Sequence, residues 1–383
     1  MADIQIIQYN ISILFISQVI LIICYFLIML GAFYGWTNIM DNQKIAVPLP
    51  IIVSVIIAAR DEDKKLPFLL HDLELQNYPQ KLLEIIIIDD HSLKQIADLP
   101  EIKMRKLQNL TILDLDENSE GKKAALLEGV TKSSGELLIF TDADCRLKPG
   151  WIRSFVSKYL EEKAGMIIGL VDYPQNNGIF GKFFRFDLLS LVLTGSGLAN
   201  IGLPTMCNGA NLLVQSDLYK KHLKELKSEI ASGDDIFMLH AIKKDRSEKI
   251  SIIKDENSIV LTNPPCNIRE FLSQRSRWAS KSKYYRDRDT IILSVIVLFS
   301  NLILVFGFLN FLFTGNYSHI VFLCIVKFTA DCLILASALS FFGGKRDIIL
   351  LPFFSIIYPF YILIIAVRSF LKEDYWKGRF GFI

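Results

Sequence analysis

The sequence lacks the strong net charge that would steer a protein toward nucleic acid, because its 383 residues carry a formal charge of only +2. Its six cysteines show no spacing typical of a zinc site, and three of them lie in apolar stretches. A disulfide framework is therefore not predicted, which fits a reducing compartment. No internal repeat or low-complexity segment is evident either. Nucleic acid is consequently not expected among the partners of this protein.

Charged residues are also missing from long apolar stretches near both ends of the chain. The first stretch, Ile11 to Ala32, contains none and is long enough to cross a hydrocarbon core of ~30 Å. The preceding Met1-Ala2-Asp3 lacks a basic n-region and no small-x-small cleavage site follows, so a membrane anchor is predicted rather than a cleaved signal peptide. Three further spans are predicted toward the other end: Ile291 to Phe313, Ile320 to Phe342 and Ile348 to Val367.

Basic residues crowd the entry to the span that begins at Ile291, namely Arg275, Arg277, Lys281, Lys283, Arg286 and Arg288. The positive-inside rule places them, and the domain before them, in the cytoplasm. An integral protein of a bacterial inner membrane is therefore expected, with membrane protein partners as a further possibility. Three C-terminal spans would conflict with the same rule, because they would export the basic tail from Lys372 to Arg379. Whether the last apolar segment, which contains Pro352 and Pro359, crosses the membrane is left open.

The middle C-terminal span contains two charges, Lys327 and Asp331, which are four residues apart and so share one helix face. Charges at that depth usually face protein and mark a functional site. A paired structural contact between helices is the alternative interpretation.

Between the apolar ends, strand-like runs alternate with helical patterns. Strands are predicted at Ile51 to Ala58, Ile85 to Ile88, Leu110 to Leu113 and up to Asp142, and helices at Asp63 to Gln76 and Lys122 to Thr131. Apolar strands without alternation, separated by helices, indicate a parallel sheet covered on both faces. Ligands of such sheets bind beyond the carboxyl ends of the strands. Arg60, Asp90 and Asp142 all follow strands and are therefore expected to converge on one crevice.

The last of these strands contains the apolar run Leu137-Leu138-Ile139-Phe140 and ends in the segment Thr141-Asp142-Ala143-Asp144-Cys145. Carboxylates one residue apart at a strand end offer hard oxygen ligands to a divalent cation, Mg2+ or Mn2+, which could in turn hold substrate phosphates. Buried structural acids prefer a partner, and the only adjacent cation is Arg146. Asp142 and Asp144 are therefore predicted to take part in chemistry rather than to support the fold.

A second acidic pair, Asp234-Asp235, follows Gly233 at a predicted helix start. Carboxylates are favoured at a helix N-terminus, so simple capping is one interpretation. Capping explains one acid better than two. A carboxylate that stays ionised beside a sugar hydroxyl can act as a general base, and Asp235 is the candidate for that role.

Further along the chain, Gln274, Arg277 and Trp278 share one helix face by their i, i+3, i+4 spacing. An arginine there suits a diphosphate, and an indole offers a platform for a sugar ring. A juxtamembrane helix with snorkelling arginines and an interfacial tryptophan is the alternative. The aromatic-rich segment Ile179 to Leu198 is open in the same way, since it fits either a buried helix or a helix at the membrane surface.

In this combination and order the motifs resemble the membrane-bound, inverting family-2 glycosyltransferases, which include cellulose, chitin and hyaluronan synthases and ceramide glucosyltransferases. The resemblance runs from about Val53 to Trp278. It implies a GT-A fold, a Rossmann-like α/β domain with a mostly parallel sheet, between one N-terminal and about three C-terminal transmembrane helices. The expected domains are an anchor at 1–40, a cytoplasmic glycosyltransferase domain with interfacial helices at 48–288, membrane helices at 289–370 and a basic-aromatic tail at 371–383.

The resemblance also implies roles for the motif residues. Asp142-Ala143-Asp144 matches the DxD motif, which in the family holds the metal and the nucleotide diphosphate. Asp235 matches the general base of the (E/T)D motif. Gln274, Arg277 and Trp278 match QxxRW, which contacts the diphosphate and the acceptor end of the active site.

The further nucleotide-binding positions implied by the resemblance are Ala58, Arg60, Glu62, Asp90 and Lys122. The first three fall in the family's first nucleotide-binding loop, and Asp90 matches a strand-end Asp that recognises uracil. Lys122 belongs to a segment that looks like the GK-x-x-AL helix start beside the nucleotide.

Asn208-Gly209-Ala210-Asn211 is similar to the family's GxN stretch near the acceptor, and Trp376-Lys377-Gly378-Arg379 resembles the tail of several membrane members. Three residues depart from the family pattern. Asp61 stands where Asn is common, His91 where Gly often follows the acidic pair, and Asp234 where Glu is usual. The first two loosen the nucleotide assignment, and the third leaves Asp235 the better base without excluding its neighbour.

The function implied by the resemblance is a metal-dependent, inverting transfer of a sugar from a nucleotide sugar, a UDP-sugar, to a lipid or a growing polysaccharide at the membrane. Processive and single addition are both compatible with QxxRW. A haloacid-dehalogenase-like phosphatase is one alternative, because a strand followed by Asp-x-Asp and a later Gly-Asp-Asp occurs there too, although on the first strand of the domain. A catalytically inactive membrane scaffold is the other.

Overall fold

The structure is a computed structural model that describes residues 2–40, 51–105, 107, 109–175, 178–226, 233–315, 318–371, 375–376 and 379–380. Side chains are described over the same residues apart from 2–14, 318–319, 375–376 and 379–380. Most of the tail predicted at 371–383, including Lys377 and Gly378, lies outside the described residues.

Contacts between residues divide the chain into two compact units. The helical unit comprises Met1–Thr37, Asn177–Ile201 and Cys266–Lys372. The sheet unit comprises Asn38–Asn176, Gly202–Pro265 and Glu373–Ile383. Two segments inside the predicted 48–288 domain, 177–201 and 266–288, therefore belong with the apolar helices.

The described strands are, in chain order, β1 (Val53–Ala59), β2 (Leu83–Asp89), β3 (Leu110–Asp114), β4 (Leu137–Phe140), β5 (Met166–Ile168), β6 (Val171–Asp172), β7 (Leu212–Gln215), β8 (Ile250–Ile252), β9 (Val260–Leu261), β10 (Tyr375–Trp376) and β11 (Arg379–Phe380). The described α-helices are α1 (Ala2–Thr37), α2 (Leu66–Glu74), α3 (Pro100–Lys103), α4 (Lys122–Lys132), α5 (Trp151–Glu162), α6 (Ile179–Asn200), α7 (Ser216–Lys221), α8 (Asp234–Asp245), α9 (Ile268–Ser280), α10 (Arg288–Thr314), α11 (Ser318–Phe341) and α12 (Leu351–Leu371).

Seven of the described strands form one sheet, in the order β3-β2-β1-β4-β7-β5-β8. β1, β2 and β4 are runs of mostly aliphatic residues that are almost entirely buried, as central strands covered on both faces require. β1 pairs in parallel with β2 and β4, and β2 pairs in parallel with β3. The predicted parallel arrangement of these four strands is confirmed.

β7 has no counterpart among the predicted strands, and it runs antiparallel to both of its neighbours, β4 and β5. Its four residues form too short a run for periodicity to identify. The sheet is therefore mostly parallel, as the resemblance implied. Because β1, β2 and β4 run in the same direction, their carboxyl ends meet at one edge, where Ala59 pairs with Asp89. This edge positions the candidate site.

Four helical stretches in the described part of the chain are long and apolar enough to cross a membrane: Phe15–Thr37, Arg288–Thr314, Ile320–Phe341 and Lys345–Leu371. One lies near the N-terminus and three lie in the C-terminal part, which confirms the predicted number and placement of candidate spans. Pro359, one of the two prolines that left the last span open, lies inside α12, and the helix continues beyond it. Two further helices, α6 and α9, belong to the same unit.

α6 is the helix formed by the aromatic-rich segment, and it packs against α1 and α11 within the helical unit. Phe184, Phe186 and Leu189 are buried, whereas Ile179 and Phe180 at the start of the helix are exposed. The body of α6 thus fits the buried interpretation, while its first turn presents apolar side chains outward.

Two glycines let α1 and α6 approach closely. A Cβ placed on Gly35 would lie 2.0 Å from the carbonyl oxygen of Gly197, and a Cβ on Gly197 would lie 1.9 Å from the carbonyl oxygen of Ala32. The backbone contact is extended by Asn200, whose Nδ2 donates to the carbonyl oxygen of Gly35 at 2.9 Å. No side chain can therefore be added at either glycine unless the helices separate.

We expect Gly35→Ala to lower the thermal unfolding midpoint of the detergent-solubilised protein. Overpacking a tight contact costs about 1–3 kcal/mol, which exceeds the roughly 1 kcal/mol gained when a helical glycine becomes alanine. Gly31→Ala is the matched control on the same helix, because its Cβ would meet only the side chain of Ile201 at 3.6 Å. The control should leave the midpoint unchanged or raise it. Equal midpoints for both variants would contradict the packing argument.

Lys327 and Asp331 on α11 form an ion pair, with Nζ 2.7 Å from Oδ2. Asp331 also accepts from the hydroxyl of Tyr25 on α1 at 2.5 Å. The ammonium group lies over two rings, 5.1 Å from the centroid of Tyr25 and 5.5 Å from that of Tyr358 on α12. The paired contact between helices is thus present, and it joins three of them.

Candidate active site

Asp90 follows β2 at the carboxyl edge of the sheet and is fully buried. Its Oδ2 lies 3.5 Å from Nη1 of Arg60, which follows β1, and its Oδ1 accepts from the backbone N–H of Gly121 at 3.2 Å. Gly121 has a φ of +92°, a conformation that favours glycine, and it precedes the first residue of α4, Lys122. Asp90 therefore ties the loop after β1 and the start of α4 to the same strand end.

Ala58 and Glu62, the other two residues assigned to the first nucleotide-binding loop, flank this point. Ala58 is partly buried in β1, and the carboxylate of Glu62 lies 3.8 Å from Nζ of Lys65. Lys65 in turn lies 3.6 Å from Oδ2 of Asp144. The loop after β1 is thereby linked to the acidic motif after β4.

The departures Asp61 and His91 have a shared structural explanation. Both adopt left-handed backbone conformations, with φ of 51° and 54°, which Asn and Gly tolerate best. The backbone N–H of Asp61 donates to Oγ of Ser92 at 2.9 Å, and Asp61 Oδ1 accepts from the N–H of Leu93 at 2.8 Å. His91 Nε2 lies 3.0 Å from the carbonyl oxygen of Ser119. These contacts hold the two loops together despite the unfavourable backbone angles.

Asp142 and Asp144 lie in the turn directly after β4, with side chains that are 33% and 23% exposed. Asp142 accepts from Nζ of Lys122. Asn263 donates to the backbone carbonyl of Asp144 at 2.7 Å and lies 3.3 Å from its Oδ2. Both carboxylates are thus oriented yet accessible, so they can reach a ligand at the sheet edge.

Arg146, the only cation adjacent to the motif in sequence, does not provide the charge partner. Its guanidinium forms a bidentate pair with Asp72 on α2, at 2.6 and 2.9 Å. The partners of the motif are instead Lys122 and Lys65, which are close in space but distant in sequence.

The two carboxylates fit a divalent cation of the Mg2+ or Mn2+ type. The described residues contain no cluster of three or more His, Cys, Asp or Glu side chains arranged for a metal. A cation at Asp142 and Asp144 would therefore need ligands from elsewhere. Mg2+ commonly combines one or two carboxylates with substrate phosphates and water, so the donor set matches a metal that binds together with a diphosphate.

Asp235 lies in the first turn of α8, which follows Gly233 at φ +100°. Its Oδ1 accepts from the N–H of Ile236 at 2.8 Å, and its Oδ2 accepts from the N–H of Gly209 at 2.9 Å. The first contact is local to the helix start, as capping predicts, but the second reaches the loop before β7. The carboxylate is thus fixed in orientation by backbone groups on two sides.

Lys122 connects the two acidic pairs electrostatically. Burial by itself would lower the pKa of its ammonium group, but Asp142, Asp234 and Asp235 outweigh that effect and raise the pKa well above its usual value. Burial, together with Asp234 and Asp235, likewise raises the pKa of Tyr219, whose ring stacks on Phe140 at the end of β4. Asp142, Asp234 and Asp235 therefore act on groups near the same end of β4, within the sheet unit.

The QxxRW residues lie on α9 in the helical unit. Gln274, Arg277 and Trp278 are all partly buried. The residue between them, Arg275, is buried, and its Nη1 donates to Oε1 of Gln274 at 2.6 Å while its guanidinium carbon lies 4.2 Å from the ring centroid of Trp278. In the sequence, Arg275 stands out only as one of the basic residues that precede the span beginning at Ile291, because it occupies a variable position of QxxRW.

The GxN stretch contains a residue with a different role from the one implied by the resemblance. Asn211 is fully buried, donates through Nδ2 to the carbonyl oxygens of Leu170 and Ser258 at 2.7 and 2.8 Å, and accepts at Oδ1 from Nε1 of Trp151 at 2.9 Å. Its side chain therefore joins three segments of the core. Within this stretch, Gly209 is the residue that contacts Asp235.

We expect Asn211→Ala to destabilise the protein by about 3 kcal/mol, because three buried hydrogen bonds of its side chain are lost at roughly 1 kcal/mol each. Denaturant unfolding in detergent measures this loss. Asn109→Ala is the matched control, since Asn109 makes one described amide contact, to the carbonyl oxygen of Leu83 at 2.9 Å. The control should cost about 1 kcal/mol. A change in acceptor KM without a change in stability would instead assign Asn211 to the substrate.

A mostly parallel sheet that ends in two acidic pairs and a lysine-bearing helix start defines an α/β domain of the GT-A class. Residues 54–206 match the model of glycosyl transferase family 2, so this stretch of the chain belongs to a family-2 glycosyltransferase domain. The resemblance inferred from the motifs is thereby confirmed at the level of the family.

Several relatives show how far the likeness extends. The chain is 23% identical over 243 residues to the poly(ribitol-phosphate) beta-N-acetylglucosaminyltransferase TarS of Staphylococcus aureus (strain MW2), an alignment that covers 63% of this chain and 40% of the relative. It is 29% identical over 126 residues to the glycosyltransferase AglE of Haloferax volcanii, covering 33% and 41%. The chain spans about two fifths of the length of these curated relatives.

Among solved structures, the chain is similar to the mannosyltransferase PcManGT from Pyrobaculum calidifontis in complex with GDP-Man and Mn2+. The TM-score is 0.54 at 16% identity, and the alignment covers 93% of this chain and 99% of that chain. At this identity the likeness establishes the shared fold. Substrates and residue roles depend on the chemistry of the site.

Proposed function

We propose that this protein transfers a sugar from a nucleoside diphosphate sugar, a UDP-sugar, to a lipid or polysaccharide acceptor at the membrane, with inversion at the anomeric carbon and with Mg2+ or Mn2+. The observation that carries the proposal is the sheet edge at which Lys122 forms an ion pair with Asp142 of the first acidic pair and lies within the electrostatic influence of Asp234 and Asp235. The first pair can bind a cation that holds the diphosphate, and the second pair can accept the proton of the acceptor hydroxyl. Glycosyl transfer requires both, because negative charge develops on the leaving diphosphate while the hydroxyl loses its proton.

The donor would be held at the ends of β1, β2 and β4. Asp142 and Asp144 would hold the cation, which supplies positive charge against the phosphates. Lys122 is a second positive charge at the same place, because its ammonium group forms an ion pair with Asp142. Arg60 and Asp90 lie together beside the start of α4, where the base and ribose of the nucleotide would bind.

The proton of the acceptor hydroxyl would pass to Asp235. Its two oxygens each accept one backbone N–H, so the carboxylate is oriented while each oxygen keeps a second lone pair. As the hydroxyl oxygen attacks the anomeric carbon, the bond to the diphosphate breaks and the leaving charge develops beside Lys122. An α-linked donor would then give a β-linked product.

The roles of Gln274, Arg277 and Trp278, at the diphosphate and the acceptor, are proposed from their motif alone. The cytoplasmic placement of the 48–288 domain, and of the protein in a bacterial inner membrane, rests on the basic residues that precede α10 and on the four apolar spans. The boundaries 1–40, 289–370 and 371–383 for anchor, C-terminal helices and tail are part of the same proposal.

The two alternative functions are less consistent with these observations. A haloacid-dehalogenase-like phosphatase carries its Asp-x-Asp motif on the first strand, whereas here β1, β2 and β3 precede the strand with the motif. An inactive scaffold would not need both acidic pairs oriented by specific donors at one edge.

The test is to incubate purified full-length protein with radiolabelled UDP-sugars or GDP-mannose, Mg2+ or Mn2+, and a membrane lipid extract. We expect label to move from one donor to a product in a reaction that EDTA stops. The size of the product separates the acceptors, because a lipid-extractable product indicates a glycolipid and a long product indicates a polysaccharide. Metal-dependent phosphate release without a sugar donor would favour the phosphatase, and no turnover of any donor would favour the scaffold.

A further inference from the structure

A buried ion pair fastens the QxxRW helix to α6. Nε of Arg275 on α9 lies 2.5 Å from Oδ2 of Asp187 on α6, and both side chains are only 3% exposed. Charges removed from water to this degree are held firmly only when both partners are present and well oriented. The pair therefore fixes the position of the Arg275 guanidinium relative to α6.

The same guanidinium contacts two of the three motif side chains. It donates to the amide oxygen of Gln274 at 2.6 Å and lies over the indole of Trp278 at 4.2 Å from the ring centroid. It also lies 4.9 Å from the ring centroid of Phe271, which stacks on Tyr361 of α12. The guanidinium group of Arg275 is planar and is held by Asp187. It therefore determines the orientation of the Gln274 amide and of the Trp278 indole ring.

The polar contacts continue from Asp187 into the apolar spans. The other carboxylate oxygen of Asp187 lies 3.5 Å from the hydroxyl of Tyr358 on α12. The ring of Tyr358 lies under the ammonium group of Lys327, which pairs with Asp331. A line of contacts thus runs from the ion pair inside α11, through α12 and α6, to the motif on α9. All of these residues belong to the helical unit.

We infer that Asp187 and Arg275 are positioning residues that orient Gln274 and Trp278 for the transfer reaction, and that Tyr358 and the Lys327–Asp331 pair brace them from the apolar spans. The inference rests on the proposed function for the roles of the two motif residues. Lys327 and Asp331 inside α11 would then support the orientation of the motif residues in addition to helix packing. Burial of the pair for packing alone would leave the orientation of Trp278 independent of Asp187.

The first test reads the environment of Trp278 directly and does not require turnover. The emission of Trp278, one of four tryptophans, is obtained as the difference between each protein and its Trp278→Phe counterpart. We expect Arg275→Lys and Asp187→Asn to shift this emission to longer wavelength and to increase its quenching by acrylamide. Unchanged emission in both variants would overturn the inference.

Arg185→Lys is the matched control for both tests. Arg185 is also 3% exposed and lies on α6, but its guanidinium donates to the carbonyl oxygens of Phe342 and Gly343, each at 3.0 Å. The variant removes the same buried fork from the same helix without altering the pair at the motif. The Trp278 emission of this variant should match that of the wild type, and an equal shift would show that any loss of packing suffices.

The second test separates positioning from stability by kinetics. At temperatures well below unfolding, Arg275→Lys should lower kcat by about 10²-fold and raise the acceptor KM, while the affinity for UDP stays close to that of the wild type. Tyr358→Phe, which removes one hydroxyl, should give a smaller loss of the same kind. Equal loss of kcat in Arg275→Lys and Arg185→Lys would overturn the inference. If the wild type transfers no sugar, the proposed function fails, whereas the emission result still decides the positioning.

Discussion

Asp235→Asn is expected to remove sugar transfer while the affinity for UDP remains close to that of the wild type. A carboxylate that takes the proton of the acceptor hydroxyl contributes roughly 10²–10⁴ in rate, and an amide cannot take that proton. The nucleotide would bind at the ends of β1, β2 and β4, through other side chains. The measurements are kcat for transfer and the dissociation constant of UDP in the presence of Mn2+.

The contacts of Asp235 call for a second variant beside Asn. Oδ1 and Oδ2 each accept a backbone N–H, from Ile236 and Gly209, and an amide can accept only one of them through its single oxygen. Asp235→Glu keeps the acid but moves it, so it should retain a measurable part of the rate if proton transfer is the role. Asp234→Asn is the neighbouring control and should reduce transfer much less. Normal turnover by Asp235→Asn would remove the assignment of the base.

The part of the site that could be predicted from the sequence is the part built on buried strands. β1, β2 and β4 are uninterrupted apolar runs, each followed by polar residues, and parallel strands bring such ends to one edge. The convergence of Arg60, Asp90 and Asp142 on one crevice could therefore be predicted from the strand ends, whereas the place of Lys122 beside the nucleotide was implied only by the family resemblance. The start of α4 could also be predicted, because the helical pattern begins at Lys122, directly after Gly121. The structure adds that this glycine has a positive φ.

Pairing between distant residues could not be predicted in the same way. Packing brings Lys65 close to Asp144 and Asp187 close to Arg275. Hydrophobic periodicity predicts helices and strands, but it does not predict which charged side chains will meet. Proximity in sequence is also a poor guide to pairing, because Arg146 lies next to the acidic motif but pairs with Asp72 on α2. For the same reason, the sequence did not predict that 177–201 and 266–288 belong to the helical unit. These segments are less apolar than the spans, and their place is set by contacts such as Asp187 with Arg275.

Short elements and backbone strain form a further group. β7 has only four residues, so its antiparallel direction depends on its neighbours β4 and β5 rather than on its own pattern. Asp61 and His91 were visible as departures from the family, but the left-handed backbone that explains the family preference is visible only in the structure. The structure thus shows that both positions require a left-handed backbone conformation, whichever residue occupies them.

Asp144→Asn is expected to abolish the metal-dependent part of UDP binding. The substitution keeps the size of the side chain and the contact between Asn263 and the backbone carbonyl, but removes one of the two charged oxygen donors of the motif. Loss of a ligand should cost at least the roughly 10–100-fold in metal affinity that loss of a supporting partner costs. The fold should survive, because the partner Lys65 is 48% exposed and exposed pairs contribute little to stability.

The measurement is UDP binding by calorimetry with Mn2+ and again with EDTA. Wild-type protein should bind UDP more tightly with the metal, whereas Asp144→Asn should bind it equally under both conditions. Asp98→Asn is the matched control in the same unit, since Asp98 is 65% exposed and pairs with Lys103 at 2.8 Å. Retained metal dependence in Asp144→Asn would mean that the cation is held elsewhere. Because Lys122 on Asp142 and Lys65 near Asp144 already supply positive charge, metal-independent binding by the wild type would instead assign the diphosphate to the two lysines.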